Sequence, residues 1–344
     1  MSRPAIELGD GLRFDPPVLL APMEGVTDRS FRRLTLAANP GAVGATCTEF
    51  VRVTAPPIPA RRLAGELDPR PRRAPLGLQL MGNRPDMVAA TAVHAAEAGA
   101  DWIDLNFGCP APRVFQHCAG SALLDDPPAL ERLLRAVVEA CPLPVTAKIR
   151  AGGTDDRRLE EIARRVEQAG ARLLTVHARL RIERYEDPAD WSRIERAVRA
   201  VSIPVVGNGS ADSAAAIEGL FEQTGCAGVM VGRAAMADPW IFARWLALDR
   251  PGEAPGPPEG PLLPHLAAWL GEYGEAMAAG GATPVQTCGR LKQMLRRLDG
   301  SGLLPLGAGL PALLREREPG ELLARALATA ATDGAGSGEG RGRP

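Results

Sequence analysis

The chain has 344 residues, 45% hydrophobic and 24% charged, with a formal net charge of −1. That is the balance of a water-soluble globular protein rather than of a basic nucleic-acid binder, although a local basic face stays open. No window approaches the roughly 18 uninterrupted apolar residues of a membrane span, and the opening MSRPAIELGDGLRF lacks the apolar core of an export signal, so a cytoplasmic protein without membrane partners is expected.

Eight short apolar runs follow in chain order: PVLLAPM (17–23), GATCTEF (44–50), LGLQLM (76–81), WIDLNF (102–107), LPVTAKIR (143–150), RLLTVHA (172–178), IPVVGNG (203–209) and AGVMVGR (227–233). Between them lie segments of helical period such as RPDMVAATAVHAAEAG, several closing on the glycine that ends helices. Strands nearly continuous in apolar residues and alternating with helices imply a parallel sheet covered on both faces. Eight such units predict an α/β fold, a (β/α)8 TIM barrel over residues 1–248. A Pro/Gly-rich linker is expected at 249–264, a small all-helical C-terminal domain at 265–330 and a disordered Gly-rich tail at 331–344.

Active sites of such barrels lie at the C-terminal ends of the strands. The polar residues of this chain collect there: Glu24 and Glu49 at the ends of the first two runs, Gln79 in the third, Asn106 and Cys109 at the end of the fourth. Lys148 and Arg150, His177 and Arg179, Asn208 and Gly209, and Gly232 and Arg233 mark the last four. Forty residues are Lys or Arg, yet only Lys148 and Lys292 are lysines. In so Arg-biased a sequence, a retained Lys marks a place for a compact ammonium on a thin stem. The turns in VVGNGSADSAAA and VMVGRAAMADPW place glycines before helices on the seventh and eighth strands, where barrels bind phosphate. The residues alone thus indicate a phosphate-tailed cofactor across the barrel mouth, with Lys148 and Gln79 at its polar edges and Cys109 opposite. No GxGxxG follows the first strand, which argues against a dinucleotide fold. A pyridoxal phosphate enzyme with Lys148 as Schiff base is the alternative.

The six cysteines form no CxxC and no close pairs, which fits a reducing compartment, and no metal site is expected. Cys109 stands in the turn DLNFGCP rather than inside the strand, and Cys118 follows nine residues later. They could be metal ligands, a disulfide, or a reactive thiol and a bystander. Cys47, Cys141, Cys226 and Cys288 read as core fillers.

The stretches APMEGVTDRSFRRL, LQLMGNRPDMVAATA, DLNFGCPAPRV…CAGSALLDDP, PVTAKIRAG, VHARLRIERYEDPADW, IPVVGNGS and GVMVGRAAMADPWIF resemble the tRNA-dihydrouridine synthase family, and the helical tail with GRLKQMLRRL resembles that family's C-terminal domain. The resemblance implies an FMN enzyme that reduces C5=C6 of a tRNA uridine with electrons from NADPH, and a monomer is expected. Hydride passes from the flavin to C6, and Cys109 gives the proton to C5. A thiol suits that task because its ordinary pKa of about 8.5 leaves it protonated yet labile at neutral pH. By the same resemblance Pro22, Met23, Gln79, Lys148 and His177 contact FMN, and Asn208, Gly209, Gly232 and Arg233 hold its phosphate. Asn106 and Arg150 hydrogen-bond the uracil. Arg290 and Lys292, with Arg296 and Arg297, offer a basic face to tRNA phosphates, and His117 lies near the cysteine loop. The loop HARLRIERYEDPADW departs from the family pattern: Leu180 replaces a Thr, Glu183 or Arg184 stands near a Gln, and Asp187 stands near a Gly, while Tyr185 and Trp191 remain. Substrate choice is therefore where this chain is expected to differ. A flavin barrel acting on a small dihydropyrimidine or enone, and an RNA-folding factor without catalysis, are the competing readings.

Overall fold

The computed structural model describes residues 2–111, 118–253 and 256–336. The chain opens with an antiparallel hairpin, β1 (Ile6–Gly9) and β2 (Leu12–Phe14). Then come β3 (Val18–Leu20), β4 (Ala45–Cys47), β5 (Val51–Arg52), β6 (Leu76–Met81), β7 (Trp102–Phe107), β8 (Val145–Arg150), β9 (Leu173–His177), β10 (Val205–Asn208) and β11 (Gly228–Val231). The second run is split: β4 and β5 both pair with β6, on either side of Thr48–Phe50. The parallel order β4-β3-β11-β10-β9-β8-β7-β6, closed by the β4–β6 pairing, is the expected eight-stranded (β/α)8 barrel. The hairpin, which no motif announced, packs beneath it: Phe14 lies 4.8 Å from Trp102, among Ile6, Leu8, Leu19, Leu173 and Met230.

Helices α1 (Arg29–Ala38), α2 (Ala60–Leu63), α3 (Pro85–Glu97), α4 (Pro127–Ala140), α5 (Leu159–Gln168), α6 (Ser192–Ala200), α7 (Ala214–Thr224), α8 (Ala234–Ala237) and α9 (Ile241–Asp249) follow their strands. Apolar stripes turn inward, as Leu130, Leu133, Leu134 and Val137 do on α4. Capping fixes the starts: Asp28 accepts from the Phe31 N–H at 2.9 Å, and Ser213 caps α7 the same way.

Past the barrel stand α10 (Leu262–Ala279), α11 (Pro284–Gly300), the short α12 (Leu310–Leu313) and α13 (Pro319–Gly336). α10 begins inside the stretch expected to be linker, and α13 runs into the stretch expected to be disordered. Thr283 and Gln286 form a reciprocal capping box at the start of α11. Phe31 of α1 meets Trp269 and Tyr273 of α10 edge-on at 6.1 and 6.3 Å. Burying each of these rings contributes about 2–3 kcal/mol, which seats the C-terminal helices on the barrel wall. No helix of the described residues is long and apolar enough to cross a membrane.

Candidate active site

Strand register decides which polar side chains meet. Paired residues on adjacent parallel strands face the same way, and alternate residues share a face. Gln79 is paired with Asp104, Asp104 with Thr146, Asn106 with Lys148, Arg150 with His177, and His177 with Asn208. These side chains share the lumen at the C-terminal end of the barrel, where the sequence placed most of them.

A chain of hydrogen bonds crosses this end. The Gln79 amide donates to Asp104 Oδ2 at 2.7 Å, and the Thr146 hydroxyl donates to Asp104 Oδ1 at 2.6 Å. The Asn106 amide donates to Gln79 Oε1 at 2.8 Å. Asn106 Oδ1 accepts the N–H groups of Gly108 and Cys109 at 3.0 and 2.9 Å. The Cys109 turn is held from its other side as well. Arg150 donates to the Gly108 carbonyl at 3.0 Å, and the Ser121 hydroxyl donates to the Cys109 carbonyl at 2.8 Å. The Cys109 thiol is half-buried, and burial pushes its pKa up. It is protonated at neutral pH rather than a standing thiolate.

Two residues expected to hydrogen-bond the uracil are also engaged within the protein. Asn106 spends its carbonyl oxygen on the Cys109 turn. Arg150, only 2% exposed, spends its guanidinium on the carbonyls of Gly108 and Leu180. Asp104 was missed. The period-2 alternation of WIDLNF puts it on the face of Asn106, and that was the available signal.

Lys148 reaches across the lumen, Nζ 3.4 Å from Asn208 Oδ1, while the Asn208 amide donates to the Met230 carbonyl at 2.7 Å. Burial lowers the Lys148 pKa to about 8, opposed by the negative charge of Asp104. His177 is held well below its usual pKa, first by burial and then by Lys148, Arg150, Arg179 and Arg233, so it is neutral. Arg179 donates to His177 Nε2 at 3.3 Å, which leaves the ring proton on Nδ1.

After β10 the chain turns through Gly209 at φ 119°, a conformation that a side chain would strain, and Trp191 donates to the Gly209 carbonyl at 2.8 Å. Among the described residues the N–H groups of Ser210, Ala211, Gly232 and Arg233 have no protein acceptor. Arg179 holds Ser210 Oγ at 2.9 Å. The Tyr185 ring stacks on His177, with centroids 5.9 Å apart, and lies 5.1 Å from the Arg150 and 4.6 Å from the Arg233 guanidinium carbon. Arg233 also donates to the Tyr185 carbonyl at 2.8 Å, so the divergent loop folds over the mouth. Unpaired amides beside Arg233, with Lys148, Arg150 and Arg179 nearby, fit an anionic, phosphate-bearing group.

Above the first strand, Met23 donates its N–H to Thr27 Oγ1 at 2.8 Å, closing the turn after Pro22. Gly25, at φ 73°, donates its N–H to Glu49 Oε2 at 2.9 Å. Arg290 of α11 packs on Gly25, where an added Cβ would lie 2.7 Å from Nη1. Its Nε lies 3.8 Å from Asp28 Oδ2, and its Nη2 lies 4.0 Å from Glu49 Oε1. Tyr273 of α10 donates to Asp28 Oδ2 at 2.9 Å. The basic set on α11 is thus divided. Arg290 ties the helix to the barrel, Lys292 donates to the Glu316 carbonyl, and Arg296 and Arg297 are exposed. Lys292 is two residues from Arg290 and so on another side of the helix, which is why the two do not act together. His117 lies outside the described residues.

Fold and site together define a (β/α)8 barrel with a thiol-bearing turn and a mouth lined by cationic side chains and unpaired amides. The chain belongs to the dihydrouridine synthase family, whose model it matches over residues 19–260. It is 42% identical over 240 residues to a protein of Rhodobacter capsulatus named "Probable tRNA-dihydrouridine synthase", covering 68% of this chain and 72% of that one. It is 41% identical over 267 residues to "tRNA-dihydrouridine synthase B" of Pseudomonas aeruginosa, covering 76% and 79%. It is 37% identical over 229 residues to "Probable tRNA-dihydrouridine synthase" of Aquifex aeolicus, covering 65% and 71%.

Proposed function

We propose that this chain reduces uridine in tRNA to 5,6-dihydrouridine, with FMN held in the barrel mouth and NADPH as electron source. The observation that carries the reading is the lumen itself. Gln79, Lys148 and Asn208 line one side of it, and the Cys109 turn is fixed above them through Asn106 Oδ1. FMN, when bound and reduced by NADPH, would supply hydride for C6 of the uracil ring. The chain's own residues do the rest. The Cys109 thiol, kept protonated by burial, gives its proton to C5. Lys148 would hold the flavin and supply a cation against the negative charge it carries when reduced. Pro22, Met23 and the neutral His177 would help to hold it without adding charge. Asn208, the amides of Gly209–Ala211 and Gly232, and Arg233 hold the phosphate. Arg150 keeps the Cys109 turn and the Leu180 loop in place around the flipped-out base. The C-terminal helices, residues 265–330, carry the tRNA body. Arg296 and Arg297 face its phosphates, while Arg290 and Lys292 have their charges engaged within the protein.

The test is spectroscopic. The purified protein, loaded with FMN, is reduced anaerobically by NADPH and then mixed with unmodified tRNA. Bleaching of the flavin band followed by reoxidation on tRNA addition is the expected result. A flavin that is reduced but ignores tRNA transfers the reading to a small-molecule reductase. A protein that takes up no FMN overturns the cofactor assignment.

A further inference from the structure

We infer that Asp104 is a positioning residue whose carboxylate sets the donor–acceptor sense of Gln79 and, through Asn106, holds the backbone turn that carries Cys109. Each link is a short contact: Thr146 Oγ1 to Asp104 Oδ1 at 2.6 Å, Gln79 Nε2 to Asp104 Oδ2 at 2.7 Å, and Asn106 Nδ2 to Gln79 Oε1 at 2.8 Å. Asn106 Oδ1 then takes two N–H groups. Asp104 is 5% exposed and Gln79 is fully buried, so water does not substitute for a missing partner.

The physical content lies in the ends of the chain. A side-chain amide presents an oxygen at one side and an NH2 at the other, and it satisfies either sense. Two amides in series, Gln79 and Asn106, therefore keep the hydrogen bond between them in either of two arrangements. One puts an oxygen on the N–H groups of Gly108 and Cys109. The other puts an NH2 there, donor against donor. An acceptor at position 104 selects the first, because only then does Gln79 turn its NH2 toward Asp104. Thr146 occupies the second carboxylate oxygen, so both oxygens of the group are engaged. A barrel interior is ordinarily filled with branched apolar side chains. A carboxylate between Gln79 and Thr146 has this task instead of packing.

The consequence for catalysis rests on Cys109 being the proton donor, but the test does not. Cysteine alkylation by iodoacetamide is followed residue by residue by mass spectrometry in the full chain, without tRNA. Exposed Cys118 calibrates the reagent, and buried Cys141 and Cys226 report on folding. Asp104→Leu is expected to speed alkylation of Cys109 about fivefold, with Cys141 and Cys226 still protected. Asp104→Asn is expected to stay within about twofold of the parent. Its oxygen faces Gln79, and the Thr146 hydroxyl accepts from its amide while turning to the Ile103 carbonyl, already 3.4 Å away. An unchanged Cys109 rate in folded Asp104→Leu overturns the inference, and so does an Asp104→Asn rate as fast as that of Asp104→Leu. If Asp104→Leu exposes Cys141 and Cys226, Gln79→Met decides: it breaks the middle link, and the same rise at Cys109 is required. A Cys109→Ala protein that still reduced uridine would overturn the proton-donor role and leave the positioning of the turn standing.

Discussion

Arg290→Ala tests how the C-terminal helices are joined to the barrel mouth. The substitution removes a guanidinium 3.8 Å from Asp28 and 4.0 Å from Glu49, all three side chains being 26% exposed. At an effective dielectric of about 20 each pair attracts by roughly 4 kcal/mol. Desolvation of the three groups offsets most of that, leaving a net loss of about 1–2 kcal/mol on removal. For a chain of this size the loss lowers Tm by roughly 1–3 °C. The pH dependence is the sharper part. Burial raises the Glu49 pKa, against the Gly25 N–H and then Arg290, which lower it. A carboxyl whose folded pKa lies above its unfolded value binds its proton more readily when folded. Stability is then highest below the unfolded value of about 4.3 and falls as pH rises through the folded one. Without Arg290 the folded value moves higher still, so the fall is deeper. The deficit of Arg290→Ala should be smaller in mild acid, where Glu49 is protonated in both proteins, and largest at neutral pH. Urea titrations of both proteins across that range measure it. A deficit that is flat with pH, or larger in acid, refutes the role of Arg290 as partner to Glu49.

Cys109→Ala should lower tRNA uridine reduction by about 10²- to 10⁴-fold with FMN binding retained, while Cys118→Ala stays within about twofold; single-turnover reoxidation of the reduced flavin measures both. With the Lys148 pKa lowered to about 8, the cation is present below that pH and lost above it, so turnover should decline as pH rises through about 8. Lys148→Arg keeps its charge and should move the decline to more alkaline pH, and identical profiles for the two proteins would remove Lys148 from the titration. Replacing both Arg296 and Arg297 by Ala should weaken tRNA binding and reduce the slope of log K against log salt by about one to two, read by filter binding at several salt concentrations, with flavin reduction by NADPH unchanged.

Much of this molecule follows from local pattern. The eight apolar runs, their alternation with helical segments and the polar residues at one end of each run determine a parallel barrel and the end of it that works, because strand alternation and parallel connection leave few other arrangements. GCP after a strand marks Cys109, and the rarity of lysine marks Lys148, since each is visible in a few adjacent residues. The hairpin beneath the barrel was not legible, because its short strands carry little periodic signal and gain their stability from Trp102 and Leu173, far along the chain. The tasks of Asp104, Asn106 and Arg150 were hidden for the same reason. Their partners sit on neighbouring strands, and only the closed barrel's register brings Gln79, Asp104 and Thr146 abreast. The division of the basic residues on α11 was likewise decided by packing. The sequence determines that Arg290 and Lys292 point to different sides of one helix. The docking of Phe31 against Trp269 and Tyr273 decides that the Arg290 side faces Glu49, so that one charge is spent on the protein while Arg297, a further seven residues on, remains exposed.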